Sequence, residues 1–310
     1  MGETRFIVAG SLIDGSGADV RKNIFLAVKD GTITAIDSVA NLPGNAEAAI
    51  DDFSHCNIVP ALIDCSVSLA RSPSVDNRVR LAAAKAGFAE KASMFERHIR
   101  DCHAHGVMGV AENDDISDLL KHYRKETMQG SIINILTPGS PYQSGKDCVI
   151  GNSTDGDFIK IGYSGNIEEK EAPHHQLSHE DLCHILQHRD GKKAMVVANG
   201  PKQVKEALEA DCDAIEQGYA MGEDNLRKMA RKNVMWIPTV LRAKNALDGS
   251  ASGGSVCCRF SLRYVAPGKP IPGAEAFWKK MFTEQLKQLR LARELGVTPA
   301  VGTGAGSVGI

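Results

Sequence analysis

The chain has 310 residues, of which 43% are hydrophobic and 24% charged, and its formal net charge is −2. That length can bury a sizeable core in one large domain plus a small appendage, and the near-neutral charge gives no electrostatic case for nucleic acid or an anionic membrane. No apolar run approaches the ~18 residues that a bilayer-spanning helix needs, and Met1-Gly2-Glu3-Thr4-Arg5 lacks the basic-then-apolar order of a secretory signal.

Residues 5–39 read as short strands. The runs 24–28 and 32–36 flank Lys29-Asp30-Gly31, a hairpin signal, because glycine accepts the positive φ of a tight turn. Pro43-Gly44-Asn45 then breaks the pattern. A small N-terminal β-sheet over residues 1–57 is expected.

From Ile58 onward, strands alternate with helices. Strand-like runs are 58–63, 107–111, 131–136, 158–162, 194–198, 214–215, 234–240 and 298–302, and helical runs are 75–103, 117–128, 178–188, 201–210, 223–232 and 274–295. Ser178-His179-Glu180-Asp181 carries a side-chain cap with an acid three residues later. Pro201 opens the next helix, where its missing N–H costs nothing. The pattern predicts an α/β fold, a (β/α)8 TIM-type barrel over 58–310 that ends at its eighth strand. The irregular stretches 137–157 and 248–273 follow the third and seventh strands, on the barrel face where binding loops belong.

The eight cysteines include no Cys-x-x-Cys pair, and several sit inside apolar patterns. Reduced thiols in a cytoplasmic protein fit this better than a disulfide framework or a zinc knuckle.

Five segments at predicted strand ends resemble, in order, motifs of the amidohydrolase superfamily, closest to its imidazolonepropionase-like and prolidase-like members. Ile58-Val59-Pro60-Ala61-Leu62-Ile63-Asp64-Cys65-Ser66-Val67-Ser68-Leu69 is similar to a first strand that ends Pro-Gly-Leu-Ile-Asp-x-His-x-His-Leu. Asp157-Phe158-Ile159-Lys160-Ile161 is similar to the strand bearing a carboxylated, metal-bridging lysine. Val196-Val197-Ala198-Asn199-Gly200 stands where the family reads His-Ala-His-Gly. Ala214-Ile215-Glu216-Gln217-Gly218 stands for Ser-Ile-Glu-His-Gly, and Gly302-Thr303-Gly304-Ala305-Gly306 for Gly-Thr-Asp-Ala-Gly.

The resemblance implies hydrolysis of C–N bonds in cyclic amides or dipeptide-like substrates by a divalent metal. Its ligand positions hold Ser66, Ser68, Val197, Gln217 and Gly304, and only Lys160 remains. Hydroxyls and a carboxamide are weak neutral zinc ligands, and valine and glycine offer no donor. Without the metal there is no Lewis acid and no water of lowered pKa. The expectation is therefore a catalytically impaired member with no cofactor, binding a small molecule or a protein at the barrel mouth through Ser66, Ser68, Lys160, Asn199, Gln217 and Thr303.

Two alternatives stand beside it. One is an active hydrolase using zinc or another divalent metal on unexpected ligands, or a Ser66–Lys160 or Ser68–Lys160 pair with a neutral amine as base. The other is a structural subunit. Family members usually continue past the last motif with a further helix and strands that complete the N-terminal sheet, so the resemblance implies uncovered apolar faces and a homo-oligomer or a partner chain. His103-Ala104-His105 would lie on the face opposite the site, and His174-His175 on the same face as the site. His179, His184 and His188 read as helix-surface residues.

Overall fold

The computed structural model describes residues 3–44, 49–74, 76–126, 131–139, 156–164, 177–241, 243, 265–266, 269–270 and 274–307. His174-His175, most of the stretches 137–157 and 248–273, and Cys148, Cys257 and Cys258 lie outside them. The chain divides into two compact units, Met1–Leu62 and Ile63–Ile310.

The first unit is a four-stranded sheet in the order β3-β2-β1-β4, from β1 (Arg5–Leu12), β2 (Arg21–Lys29), β3 (Thr32–Ser38) and β4 (Ile50–Ile58). The expected hairpin joins β2 to β3 through Asp30 and Gly31, both at positive φ (49° and 76°). That pairing suits the right-handed twist of the flanking strands. Strand β4 adds on parallel to β1. Alternation along β2 puts Ile24 and Leu26 in one cluster with Ala9 and Leu12 of β1, and Phe25 and Ala27 in another with Phe6.

The second unit alternates strands with helices. A three-stranded parallel sheet holds β5 (Leu62–Val67), β6 (Val107–Glu112) and β7 (Asn134–Leu136), in that order. A four-stranded parallel sheet runs β11-β10-β9-β8, from β8 (Ile159–Gly162), β9 (Ala194–Ala198), β10 (Ala214–Gln217) and β11 (Met235–Ile237). The predicted eighth strand is an extended segment with single bridges to both sheets, Trp236 to Pro299 and Val67 to Ala305. Its main chain laces β11 to β5: Ala300 N–H donates to Trp236 O at 2.7 Å, Cys65 N–H to Val301 O at 2.8 Å, and Gly304 N–H to Ser66 O at 2.8 Å. On the other side, Thr137 and Asp157 link the ends of β7 and β8 by two hydrogen bonds of 2.7 and 2.8 Å. No strand ladder closes β7 onto β8 among the described residues.

The helices are α1 (Asn77–Lys85), α2 (Phe88–Ala104), α3 (Ser117–Glu126), α4 (His179–Gln187), α5 (Gly200–Glu209), α6 (Glu223–Lys232) and α7 (Ala274–Leu295). The single helix expected over 75–103 is two, parted at Ala86 and Gly87, where ψ turns extended (149° and 169°). Glycine is the poorest helix former after proline, so the break falls there at little cost. Ser178 caps α4 in the anticipated box, its hydroxyl accepting from Asp181 N–H at 3.0 Å and the Asp181 carboxylate accepting back from Ser178 N–H at 3.2 Å. Residues Ile161, Val196 and Ile215 on the strands meet Leu182, Leu208 and Leu226 on the helices in the main core. The short strands β12 (Val265–Ala266) and β13 (Lys269–Pro270) pair antiparallel. Among the described residues, no helix is long and apolar enough to cross a membrane.

Candidate functional site

Parallel strands bring their C-terminal ends to one side, so residues at those ends meet even when far apart in sequence. Here the meeting point is a buried ion pair. Lys160, in the middle of β8, donates through Nζ to Glu216 Oε2 on β10 and to Asn113 Oδ1 just past β6. The two charged side chains are only 10% and 6% exposed. Ser66, near the end of β5, donates its hydroxyl proton to the other carboxylate oxygen, Glu216 Oε1, at 2.8 Å. It also lies within 3.3 Å of Asn113 Nδ2. Both Glu216 oxygens thus have donors, which is what a buried carboxylate requires.

The network continues into the chain beneath. Asp64 Oδ1 accepts from Ser66 N–H at 3.1 Å and from Thr303 N–H at 2.9 Å, and the Thr303 hydroxyl donates to Asp64 Oδ2. Burial pushes the Asp64 carboxyl above its ordinary pKa, against the lowering effect of the Thr303 hydroxyl. On the far side, Glu112 at the end of β6 accepts from the N–H groups of Leu69 (2.8 Å), Asn113 (2.9 Å) and Asp114 (3.0 Å). It is fully buried, and desolvation lifts it to about 7. Cys65 shares this setting: burial, then the negative charges of Asp64 and Glu216, raise its thiol pKa, so it is a poor nucleophile.

The remaining sequence candidates are engaged elsewhere. Asn199, just past β9, donates through Nδ2 to Gln217 Oε1 at 2.6 Å, and its own Oδ1 accepts from Tyr219 N–H at 3.0 Å. Gln217 sits at φ 70°, a conformation non-glycine residues seldom adopt. Its carbonyl is held there by Trp236 Nε1 at 3.1 Å and Gln285 Nε2 of α7 at 2.7 Å. Ser68 is buried, with its N–H on Ala305 O at 2.7 Å. Val197 is half-buried on β9, and Gly304, at φ 72°, donates its N–H to Ser66. Among the histidines, His105 caps α2 through Nδ1 to Asp101 O at 2.7 Å, and His184 stacks on His188 at 4.2 Å. The five cysteines among the described residues, Cys56, Cys65, Cys102, Cys183 and Cys212, are free thiols.

Sequence reasoning passed over Glu112, Asn113 and Glu216 as site residues. Glu112-Asn113-Asp114 is a polar run directly after an apolar strand, at the end facing the site, and Glu216 directly precedes Gln217. Position at a strand's C-terminal end was the available signal.

The residues present do not fit the divalent metal that the resemblance implies. Lys160 is committed to Glu216 and Asn113, Ser66 to Glu216, and Gln217 to Asn199, while Val197 and Gly304 have no donor to offer. Among the described residues, no three His, Cys, Asp or Glu side chains group as a metal site. A Ser–Lys dyad is not formed either, since Ser66 and Lys160 both point at Glu216.

No family model and no curated protein matches the sequence. Solved structures do match. A Xaa-Pro dipeptidase with bound methionine aligns with TM-score 0.74 at 19% identity, over 99% of this chain and 80% of that one. The A. niger ochratoxinase gives TM-score 0.77 at 17% identity, over 100% and 78%. Molinate hydrolase gives 0.70 at 16%, over 97% and 73%. At such identities the likeness is one of fold, and the chain has the fold shared by these amidohydrolase- and prolidase-type structures.

Proposed function

We propose that this chain is an amidohydrolase-superfamily member in which the inherited C–N bond hydrolysis is impaired and the strand ends bind a small molecule. In this reading the second unit is a (β/α)8 barrel closing at Thr137 and Asp157. The observation that carries the proposal is the Lys160–Glu216–Ser66–Asn113 cluster, a closed set of hydrogen bonds at the positions a metal and its ligands would take. A group whose donors and acceptors are already paired has little left with which to polarise a carbonyl or deprotonate water.

Two buried polar atoms support a ligand. Asp114 Oδ2, beside Asn113, and Thr239 Oγ1, just past β11, have no hydrogen-bond partner among the described residues. Such atoms are rare in native proteins, and a ligand that reached either one would supply the missing partner.

Metal analysis of the purified protein, with a turnover screen of cyclic amides and dipeptides with and without chelator, tests the proposal. The expected result is substoichiometric metal and no turnover. About one or two equivalents of zinc, lost in Lys160→Ala and accompanied by chelator-sensitive turnover, would overturn it.

A further inference from the structure

We infer that the buried Lys160–Glu216 ion pair takes the place of a divalent ion in this site, and that Lys160 Nζ, committed to Glu216 and Asn113, carries no carbamate. This deepens the proposed function, since it names what stands where the metal would be. Glu216 is a carboxylate only 6% exposed. An ionised carboxylate at that depth needs a counter-charge. Among the described residues, the cation in contact with it is Lys160, itself 10% exposed. Ser66 satisfies the second oxygen but brings no charge. Without the Lys160 side chain, Glu216 would be a buried carboxylate with no cation in contact among the described residues.

Carboxylation would be worse. It joins Nζ to the carbon of carbon dioxide and releases two protons, one N–H proton lost to reach the free amine and one as the N–C bond forms, so the side chain passes from +1 to −1. The new carboxylate would face Glu216 Oε2 and Asn113 Oδ1, which are both acceptors now served by Nζ. Lone pairs would oppose lone pairs, and two like charges would share one buried space. A metal pair would relieve that repulsion, but Ser66, Val197, Gln217 and Gly304 cannot recruit one. An arriving divalent ion would meet the ammonium at close range and be repelled. The arrangement is self-consistent with one internal cation and with nothing else added.

Two measurements on the full chain test this. The first is incubation with 13C-labelled bicarbonate followed by carbon NMR and intact mass. No carbamate resonance is expected, and one that disappears in Lys160→Arg would overturn the inference. The second is thermal melting. Lys160→Met strands Glu216 and should lower Tm by roughly 5–10 °C, while the double variant Lys160→Met, Glu216→Gln, which removes both charges, should recover at least half of the loss. Added zinc should leave the wild-type Tm unchanged. A single variant as stable as wild type, a double variant no better than the single, or a zinc-dependent rise in Tm would each overturn it. Hydrolytic turnover without a carbamate would instead overturn the proposed function and leave the role of Lys160 standing.

Discussion

Glu112 shows how much one side chain can carry when it is taken out of water. Its carboxylate collects three main-chain N–H groups, from Leu69 past β5 and from Asn113 and Asp114 past β6, and so ties two strand ends together. Those bonds favour the charged form, but desolvation outweighs them, with the nearby Asp114 charge adding to it, and the group rests at about 7 instead of 4.5. The folded protein therefore holds a proton that the unfolded chain has already released. Stability from this group is greatest below about 4.5 and declines as pH rises to about 7, by a total of about 3 kcal/mol. Glu112→Gln cannot ionise, and its one amide oxygen keeps an acceptor for the Asn113 and Asp114 N–H groups that share Oε1, at the cost of the bond from Leu69. Urea unfolding from pH 4.5 to 8 should show a decline in the wild type that the variant lacks. Parallel pH profiles for the two proteins would show that Glu112 does not titrate in this window.

At the scale of elements, the fold was legible where a local pattern had a local cause. The Asp30-Gly31 turn, the Ser178 cap and Pro201 at the start of α5 each act through their own backbone, so they could be read directly. Strand β4, Ile-Asp-Asp-Phe-Ser-His-Cys-Asn-Ile, has neither alternation nor an apolar run, and it was not legible. It exists because β1 offers a free edge with which it pairs in parallel. The site was legible by the same division. Lys160 and Ser66 stood out through a resemblance, but their partners Glu216 and Asn113 arrive from 56 and 47 residues away, a distance over which pairing cannot be read from one sequence. The turn at Gly306 is a case where tertiary contact dictates residue type. Its φ is 88°, and a Cβ there would stand 2.4 Å from the Ser68 carbonyl oxygen, a backbone atom that cannot step aside. Gly306→Ala should therefore cost at least about 2 kcal/mol in a denaturant titration. The same substitution at Gly17, where nothing lies within 4 Å although φ is also positive, gives the cost of the dihedral alone. If the two variants lose equal stability, the contact with Ser68 contributes nothing.

For the second unit as a whole, two parallel sheets must act as one body if residues from β5, β6, β8 and β10 are to stay within hydrogen-bond reach. Residues 298–305 make that connection without forming a regular strand. On one side they exchange hydrogen bonds with Trp236 of β11. On the other they engage Cys65 and Ser66 of β5 and Ser68 just past it, and Thr303 locks onto Asp64. Severing one bond on the β11 side therefore tests whether the site depends on the joint. Ala300 donates its N–H to Trp236 O at 2.7 Å. Ala300→Pro removes that donor and leaves the buried Trp236 carbonyl without it, while the bond severed involves neither Lys160 nor Glu216. The expected loss is about 2–3 kcal/mol in urea. Because the joint and the ion pair share one body, the variant should also bring forward amide exchange at Ser66 and Gly304, whose N–H groups bond to Asp64 and across the seam to Ser66 O. Faster exchange confined to Trp236, with Ser66 and Gly304 still protected, would mean that each sheet holds its own part of the site and that the segment is only a tether.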